Sequence, residues 1–223
     1  MTMSRSMLSQ KLSSADLYVV ITESFCAGRS SLETLENCLA AGVRLVQLRE
    51  KHLDDGALFA LAREWRARTR AADAVFIVDD RVDIALAADA DGVHLGQSDL
   101  PIAVARELAP ELLIGASSHT PDEAMAAQEA GADYVNIGPV FPTRTKETPM
   151  GHVGPELISD IAPRLRIPFT CMGGIKLDNL SAVMEQGAQI AAVVTAVTAA
   201  EDQRAAAQEL RTRILELRTV NTP

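Results

Sequence analysis

Residues 75–99 read VFIVDDRVDIALAADADGVHLGQSD, and this stretch decides the fold. It holds two short apolar runs, 75–78 and 92–95. The first closes in Asp79-Asp80-Arg81, the second in Gly96-Gln97-Ser98-Asp99. Between them an Ala-rich segment, 84–88, is long enough for a short helix. That is a strand–helix–strand unit, and a parallel pair joined by one crossover puts both carboxyl ends on the same face. Asp80 and Asp99 are thereby brought to one mouth although nineteen residues separate them. Carboxylates without an adjacent base, at the top of a parallel sheet, suit Mg²⁺ held together with substrate phosphates. A lone Asp here would more simply cap the next helix. Carboxylates at matching ends of two strands favour a site.

Outward from this unit the chain alternates in the same way. Strands are expected at 17–21, 44–48, 112–115, 133–137, 168–172 and 189–194, besides the two already named. Helices are expected at 31–41, 54–72, 101–108, 121–130, 154–162, 178–186 and 202–218, with 1–15 frayed or a short helix. Gly42, Gly131 and Gly187 stand where a helix end relaxes into left-handed backbone, Asp54 is a natural N-cap, and Pro101 suits a first helical turn. Eight parallel strands in short apolar runs, each followed by a helix, predict an α/β fold, a closed (β/α)₈ TIM barrel. A Rossmann-like sheet would show a Gly-rich first turn, and 22–26 has none. One domain over 1–223 is expected, with 1–15 as an N-terminal extension and 138–153 as a long active-site loop able to act as a lid.

Composition narrows the function. Of 223 residues 48 % are hydrophobic, enough for a large core, and 21 Lys plus Arg against 30 Asp plus Glu give a net charge of −9. That balance argues against nucleic acid, which requires a basic footprint. Cys26, Cys38 and Cys171 are scattered, with no zinc or disulfide spacing. No apolar run approaches the ~20 residues of a membrane span, and Arg5 and Lys11 precede no signal-like apolar segment. A soluble cytoplasmic protein acting on small molecules is expected, with a homo-oligomer left open.

In such a barrel the chemistry sits in the loops after the strands. Those positions carry Gln47, Arg49 and Lys51; Asp79, Asp80 and Arg81; Gln97 and Asp99; Ser117, Ser118 and His119; Thr143 to Lys146; Gly173 and Gly174; and Thr195. Arg49 and Lys51 alternate at a strand end and can face the mouth with Gln47, the Arg as a fork for phosphate and the Lys as a point charge. Opposite two aspartates they form a pyrophosphate–magnesium clamp. Gly173-Gly174 and the helix after it offer backbone N–H groups to a second anion, and Thr195 adds a hydroxyl. His119 is a general base, a helix-capping residue or a solvent-facing one. His94 is expected to be structural, and Trp65, Cys171 and the methionines to be packing.

VQLREK at 46–51, DDR…ADGVHLGQSDLP at 79–101, GASSHT at 115–120, GADYVNIGPVFPTRTK at 131–146 and GGI at 173–175 resemble thiamine-phosphate synthase, in that family's order and over most of the chain. The resemblance implies a Mg²⁺-dependent transferase joining a pyrimidine diphosphate to a thiazole phosphate. It implies that Gln47, Arg49, Lys51, Asp79, Ser117 and Lys146 meet the pyrimidine diphosphate, with Arg49, Lys51 and Lys146 catalytic. Asp80 and Asp99 would hold Mg²⁺, and Thr143, Thr145, Gly174, Val194 and Thr195 would meet the thiazole phosphate. Three places depart from the pattern: the family usually has Asn where this chain has Asp79, a small apolar pair where it has Cys171-Met172, expected to be core, and serine where it has Thr195. Were Asp79 ionised beside Asp80, the two like charges would raise the pKa of one carboxyl or require Mg²⁺ and Arg81 to offset the pair. The alternatives are a thiazole tautomerase of the same superfamily, a phosphosugar isomerase or epimerase, and a non-catalytic barrel that keeps the thiazole-phosphate pocket.

Overall fold

The computed structural model describes residues 3–145 and 151–220. After helix α1 (Arg5–Ser14) come β1 (Leu17–Ile21), α2 (Ser31–Ala40), β2 (Leu45–Leu48), α3 (Asp55–Ala71), β3 (Val75–Asp79), α4 (Val82–Ala87) and β4 (Gly92–Leu95). Then follow α5 (Ile102–Leu108), β5 (Leu113–Ser118), α6 (Pro121–Glu129), β6 (Tyr134–Ile137) and α7 (Glu156–Ile161). The chain closes with β7 (Phe169–Met172), α8 (Leu180–Met184), β8 (Ile190–Val193), α9 (Thr195–Thr198) and α10 (Gln203–Val220). All strand pairs are parallel, and β8 returns to β1, so the sheet is a closed (β/α)₈ barrel.

Local chemistry sets the boundaries. Ser30, Asp54 and Thr120 each accept a hydrogen bond from the backbone N–H three residues on, capping α2, α3 and α6. Gly42, at φ 85°, ends α2 in left-handed backbone as expected. The helix expected at 178–186 shrinks to five residues, and an unexpected short helix, α9, starts at Thr195. Strand β5 runs on to Ser118, so Ser117 lies on the strand and not after it.

Strand side chains alternate between two cores. Tyr18, Val20, Leu45, Val75, Ile77, Leu113, Tyr134 and Ala192 fill the barrel interior. Their neighbours Val19, Val46, Phe76, Ile114 and Val135 face the helices with Trp65. Both strand faces are therefore apolar, which is why the strands read as continuous runs. The N-terminal segment is no frayed tail: Leu8 and Leu12 of α1 are buried in the interior cluster and plug one end of the barrel. Each such leucine contributes roughly 1.5–3 kcal/mol. The other end is left to the loops after the strands. Among the described residues, no helix is long and apolar enough to cross a membrane.

Candidate active site

The inward register of the strands delivers polar residues to the open end. Starting from Leu45, Ile77, Leu113 and Ala192, two-residue steps arrive at Gln47, Asp79, Ser117 and Val194. These four line one cavity of about 480 Å³, together with Arg49 just past β2. His94, Asn136 and Met172 occupy equivalent inward positions and share the wall. The sequence reading missed Asn136, whose Oδ1 accepts from Thr170 at 2.7 Å. Its signal was a polar residue at an inward position of an otherwise apolar strand. Thr22 and Phe25, from the first loop, were also missed.

Charge is concentrated on one side of this mouth. The Lys51 ammonium lies 2.8 Å from Asp79 Oδ2, out of hydrogen-bond alignment, and it also contacts the Asp80 carboxylate. The Arg49 guanidinium lies 3.6 Å from the same Asp79 oxygen. Burial pushes the Asp79 carboxyl up; Lys51 and Arg49 oppose this, and Asp99 adds to it. Burial alone would lower Lys51, but Asp79 and Asp80 outweigh it and hold the ammonium above its ordinary range. Of the groups expected to face one another, Lys51 meets Asp80, and both cations meet Asp79, while Asp99, among the described residues, makes no ion pair with either. Arg81 does not offset them: it pairs with Asp55 and Asp83 instead. The reason is backbone geometry. Asp80 sits at φ 58°, the Arg81 N–H closes a tight turn onto Asp79 O at 2.7 Å, and the chain swings away into α4.

Capping does not account for these aspartates, because the N-cap of α4 is Arg81, without a side-chain bond. Asp99, on the neighbouring loop after β4, accepts the Gly96 N–H at 2.7 Å and so closes its own turn. Around His119 the outcome is different. Its N–H and its Nδ1 both meet Glu123 Oε2, at 2.7 and 3.0 Å, at the start of α6. The cap of that helix is Thr120, and His119 is held just before it by the Glu123 carboxylate.

A second pocket of about 340 Å³ adjoins the first and shares Thr145, Met172 and Val194 with it. It brings together Thr143, Thr145, Gly174, Val194 and Thr195 as anticipated, and it adds Lys176. Met172 is therefore a wall of both pockets and not mere packing. The two glycines do more than turn the chain. A Cβ on Gly173 would stand 2.4 Å from Pro139 Cβ, and one on Gly174 would stand 2.5 Å from Pro142 O. Only bare backbone lets the loop after β6 lie against the loop after β7, tied by Val140 N to Met172 O and Phe141 N to Gly173 O at 2.8 and 2.9 Å. Five residues separate Gly174 from α8, so the helix that meets this pocket is α9, opened by Thr195, and not the one after the glycines. Lys146 lies outside the described residues, as does the rest of 146–150 within the long loop.

A family model described as thiamine monophosphate synthase matches residues 17–197. The thiamine-phosphate synthase of Moorella thermoacetica is 46 % identical over 88 % of this chain and 94 % of its own length. That of Methanospirillum hungatei is 44 % identical over 86 % and 94 %. A solved thiamine phosphate pyrophosphorylase from Pyrococcus furiosus superposes with a TM-score of 0.86 at 39 % identity, covering 95 % of this chain and 98 % of that one. Matched in sequence and backbone from the first strand through the last, the chain belongs to the thiamine monophosphate synthase family and is a transferase of the thiamine-phosphate synthase type.

Proposed function

We propose that this chain condenses 4-amino-2-methyl-5-(diphosphooxymethyl)pyrimidine with 4-methyl-5-(2-phosphooxyethyl)thiazole, or its carboxylated form, to give thiamine monophosphate and pyrophosphate. One observation carries the reading: two pockets, one lined by Arg49 and Asp79, with Lys51 and Asp80 in ion contact behind them, and one built on Gly174 and Thr195, share a wall at Thr145, Met172 and Val194. Two substrates seated there meet across that wall, and holding them together is a large part of catalysis.

Gln47, Asp79 and Ser117 hold the pyrimidine ring. Arg49 and Lys51 take up the charge that grows on the departing pyrophosphate, with Lys146 assigned to the same task by resemblance. The electron-rich aminopyrimidine stabilises the benzylic-type cation left behind, and the thiazole nitrogen captures it. No protein nucleophile is required. Thr143, Thr145, Gly174, Val194 and Thr195 hold the thiazole phosphate. Asp80 and Asp99 offer hard oxygen donors on adjacent loops, a set that fits Mg²⁺. Among the described residues no three His, Cys, Asp or Glu are gathered for a metal, so substrate phosphates and water would complete the shell. When bound, the ion would neutralise leaving-group charge. A thiazole tautomerase needs neither diphosphate nor metal, so the presence of Arg49, Lys51, Asp80 and Asp99 weighs against it, and the paired carboxylates with Lys146 do not make the acid–base couple of a phosphosugar isomerase.

Incubation with both substrates and Mg²⁺, followed by assay of thiamine monophosphate and pyrophosphate, tests the proposal. Formation of both products in equal amounts is expected; absence of either overturns it.

A further inference from the structure

The deepest polar groups of the first cavity form one continuous chain. Gln47 Nε2 donates to the Tyr18 hydroxyl at 2.7 Å, and the Tyr18 and Tyr134 hydroxyls lie 3.1 Å apart. The Tyr134 hydroxyl lies 3.1 Å from His94 Nδ1, and His94 Nε2 lies 2.9 Å from Ser117 Oγ. Both tyrosines are fully buried, and Gln47 is nearly so. The rings are packed into place: Tyr134 lies 6.2 Å from Tyr18 and 5.6 Å from His94, centroid to centroid. Gly115 keeps the space open, since a Cβ there would stand 2.1 Å from Tyr134 Cζ. Burial raises the pKa of both tyrosines, so both hydroxyls keep their protons.

A chain of this kind has a direction. An amide N–H only donates, so the Tyr18 oxygen accepts and its proton passes to Tyr134. Tyr134 in turn donates to His94 Nδ1, which leaves the imidazole proton on Nε2 and directs it to Ser117 Oγ. The chain so orients the two ends that face the cavity. Gln47 is left with its amide oxygen to accept and one further N–H, and Ser117 with its own proton to donate. A 4-aminopyrimidine presents the complementary edge, an amine that donates beside a ring nitrogen that accepts. A 4-oxo ring presents the reverse, so in the same orientation its oxygen would stand against the Gln47 amide oxygen and its ring N–H against the Ser117 proton, and turning the Gln47 amide to match it works against the direction of the chain.

We infer that Tyr18, Tyr134 and His94 are positioning residues that set the polarity of Gln47 and Ser117 and so select an aminopyrimidine over its oxo counterpart. The inference rests on the reading that this cavity receives the pyrimidine. Neither tyrosine lines the cavity, so each acts only through Gln47 or Ser117. Site polar groups matched to a substrate reject a mismatched analogue strongly, because a buried group is left unpaired.

The test compares kcat/KM for the 4-amino pyrimidine diphosphate and for its 4-oxo analogue, each with thiazole phosphate, in wild type, Tyr134→Phe and Tyr18→Phe. The expected result is a preference for the amino substrate that falls roughly tenfold in either variant, about the loss of one buried hydrogen bond, while the KM for thiazole phosphate stays within twofold. Both variants break the Tyr18–Tyr134 link, Tyr18→Phe also that to Gln47 and Tyr134→Phe also that to His94, so one that fails to fold leaves the other to decide. An amino-to-oxo ratio unchanged in a folded variant overturns the inference, as does a wild type that uses both pyrimidines equally well. A wild type that uses neither pyrimidine overturns the assigned reaction, and the inference with it.

Discussion

The two ends of the barrel use the same residue types to opposite effect. At the end plugged by α1, Asp16, Asp91 and Asp133 each stand one residue before a strand. Asp91 Oδ2 accepts the Phe76 N–H at 2.9 Å and Arg66 from α3 at 2.8 Å. Asp133 Oδ2 accepts the Ile114 N–H at 2.8 Å and pairs with Arg106 from α5. Asp16 accepts the Leu17 N–H and pairs with Arg211 from α10. Each of these three carboxylates bonds a barrel amide and an outer-helix guanidinium, which straps wall to shell. At the open end Asp79 is nearly as buried, yet its charge meets Lys51 and Arg49 only as loosely aligned ion pairs. Asp80 is held at a positive φ. Closed hydrogen bonding at one face and unspent charge at the other is the division of labour expected of such barrels, stability below and chemistry above.

The harshest challenge to this contrast is Asp91→Ala. It strands the Arg66 guanidinium and the Phe76 N–H in the interior, so a loss of about 3–5 kcal/mol is expected, read as a lower midpoint of urea unfolding. A loss under 1 kcal/mol would mean that the strap is ornamental. At the other face, Asp80→Ala or Asp99→Ala should lower kcat by roughly 100-fold, the scale of removing one group that stabilises developing charge. Affinity for thiazole phosphate should persist, and isothermal titration reads it directly. Near-normal turnover at limiting Mg²⁺ would remove that aspartate from the mechanism.

Asp79→Asn sharpens the contrast most, because the two faces predict opposite signs. Where Asp91→Ala destabilises, relieving a crowded functional charge should stabilise, by about 0.5–2 kcal/mol at pH 7. The pH dependence has a definite sense. Burial raises the folded pKa of Asp79 above its unfolded value, so the contribution of Asp79 to stability is greatest at low pH and declines as pH rises through the folded pKa. Asn does not titrate, so the advantage of the variant over wild type should be absent at acid pH and grow toward neutrality in a series of thermal melts. Affinity for the pyrimidine diphosphate should be kept or improved at pH 7, with a smaller gain at acid pH. Weaker binding of it, or of Mg²⁺, would make Asp79 a ligand in its own right. The smallest effect is expected from Thr195→Val, a loss of roughly 0.5–1.5 kcal/mol in thiazole-phosphate affinity with one neutral hydrogen bond gone. A change in pyrimidine diphosphate affinity instead would merge the two pockets.

Much of this was legible in the chain. Short apolar runs closed by polar residues gave the strand order, because strands covered on both faces lack alternation. Parallel connection places every strand end at one mouth, so the polar loop residues could be gathered without coordinates. That is why Gln47, Arg49, Asp79 and Ser117 are found around one cavity and Gly174 and Thr195 around the next. Other features had no one-dimensional signature. When both faces of a strand are apolar, nothing local says which one becomes the interior; closure of β8 onto β1 decides it. Only then do Tyr18, His94 and Tyr134, from three separate strands, meet in one hydrogen-bonded chain, where the sequence offers two ordinary core tyrosines and a histidine between Val93 and Leu95. Likewise Arg81 adjoins Asp80 in sequence but not in function, because a single positive φ turns it toward Asp55 and Asp83. Residue type and order determined which groups reach the open end; backbone torsion and barrel closure decided which of them touch.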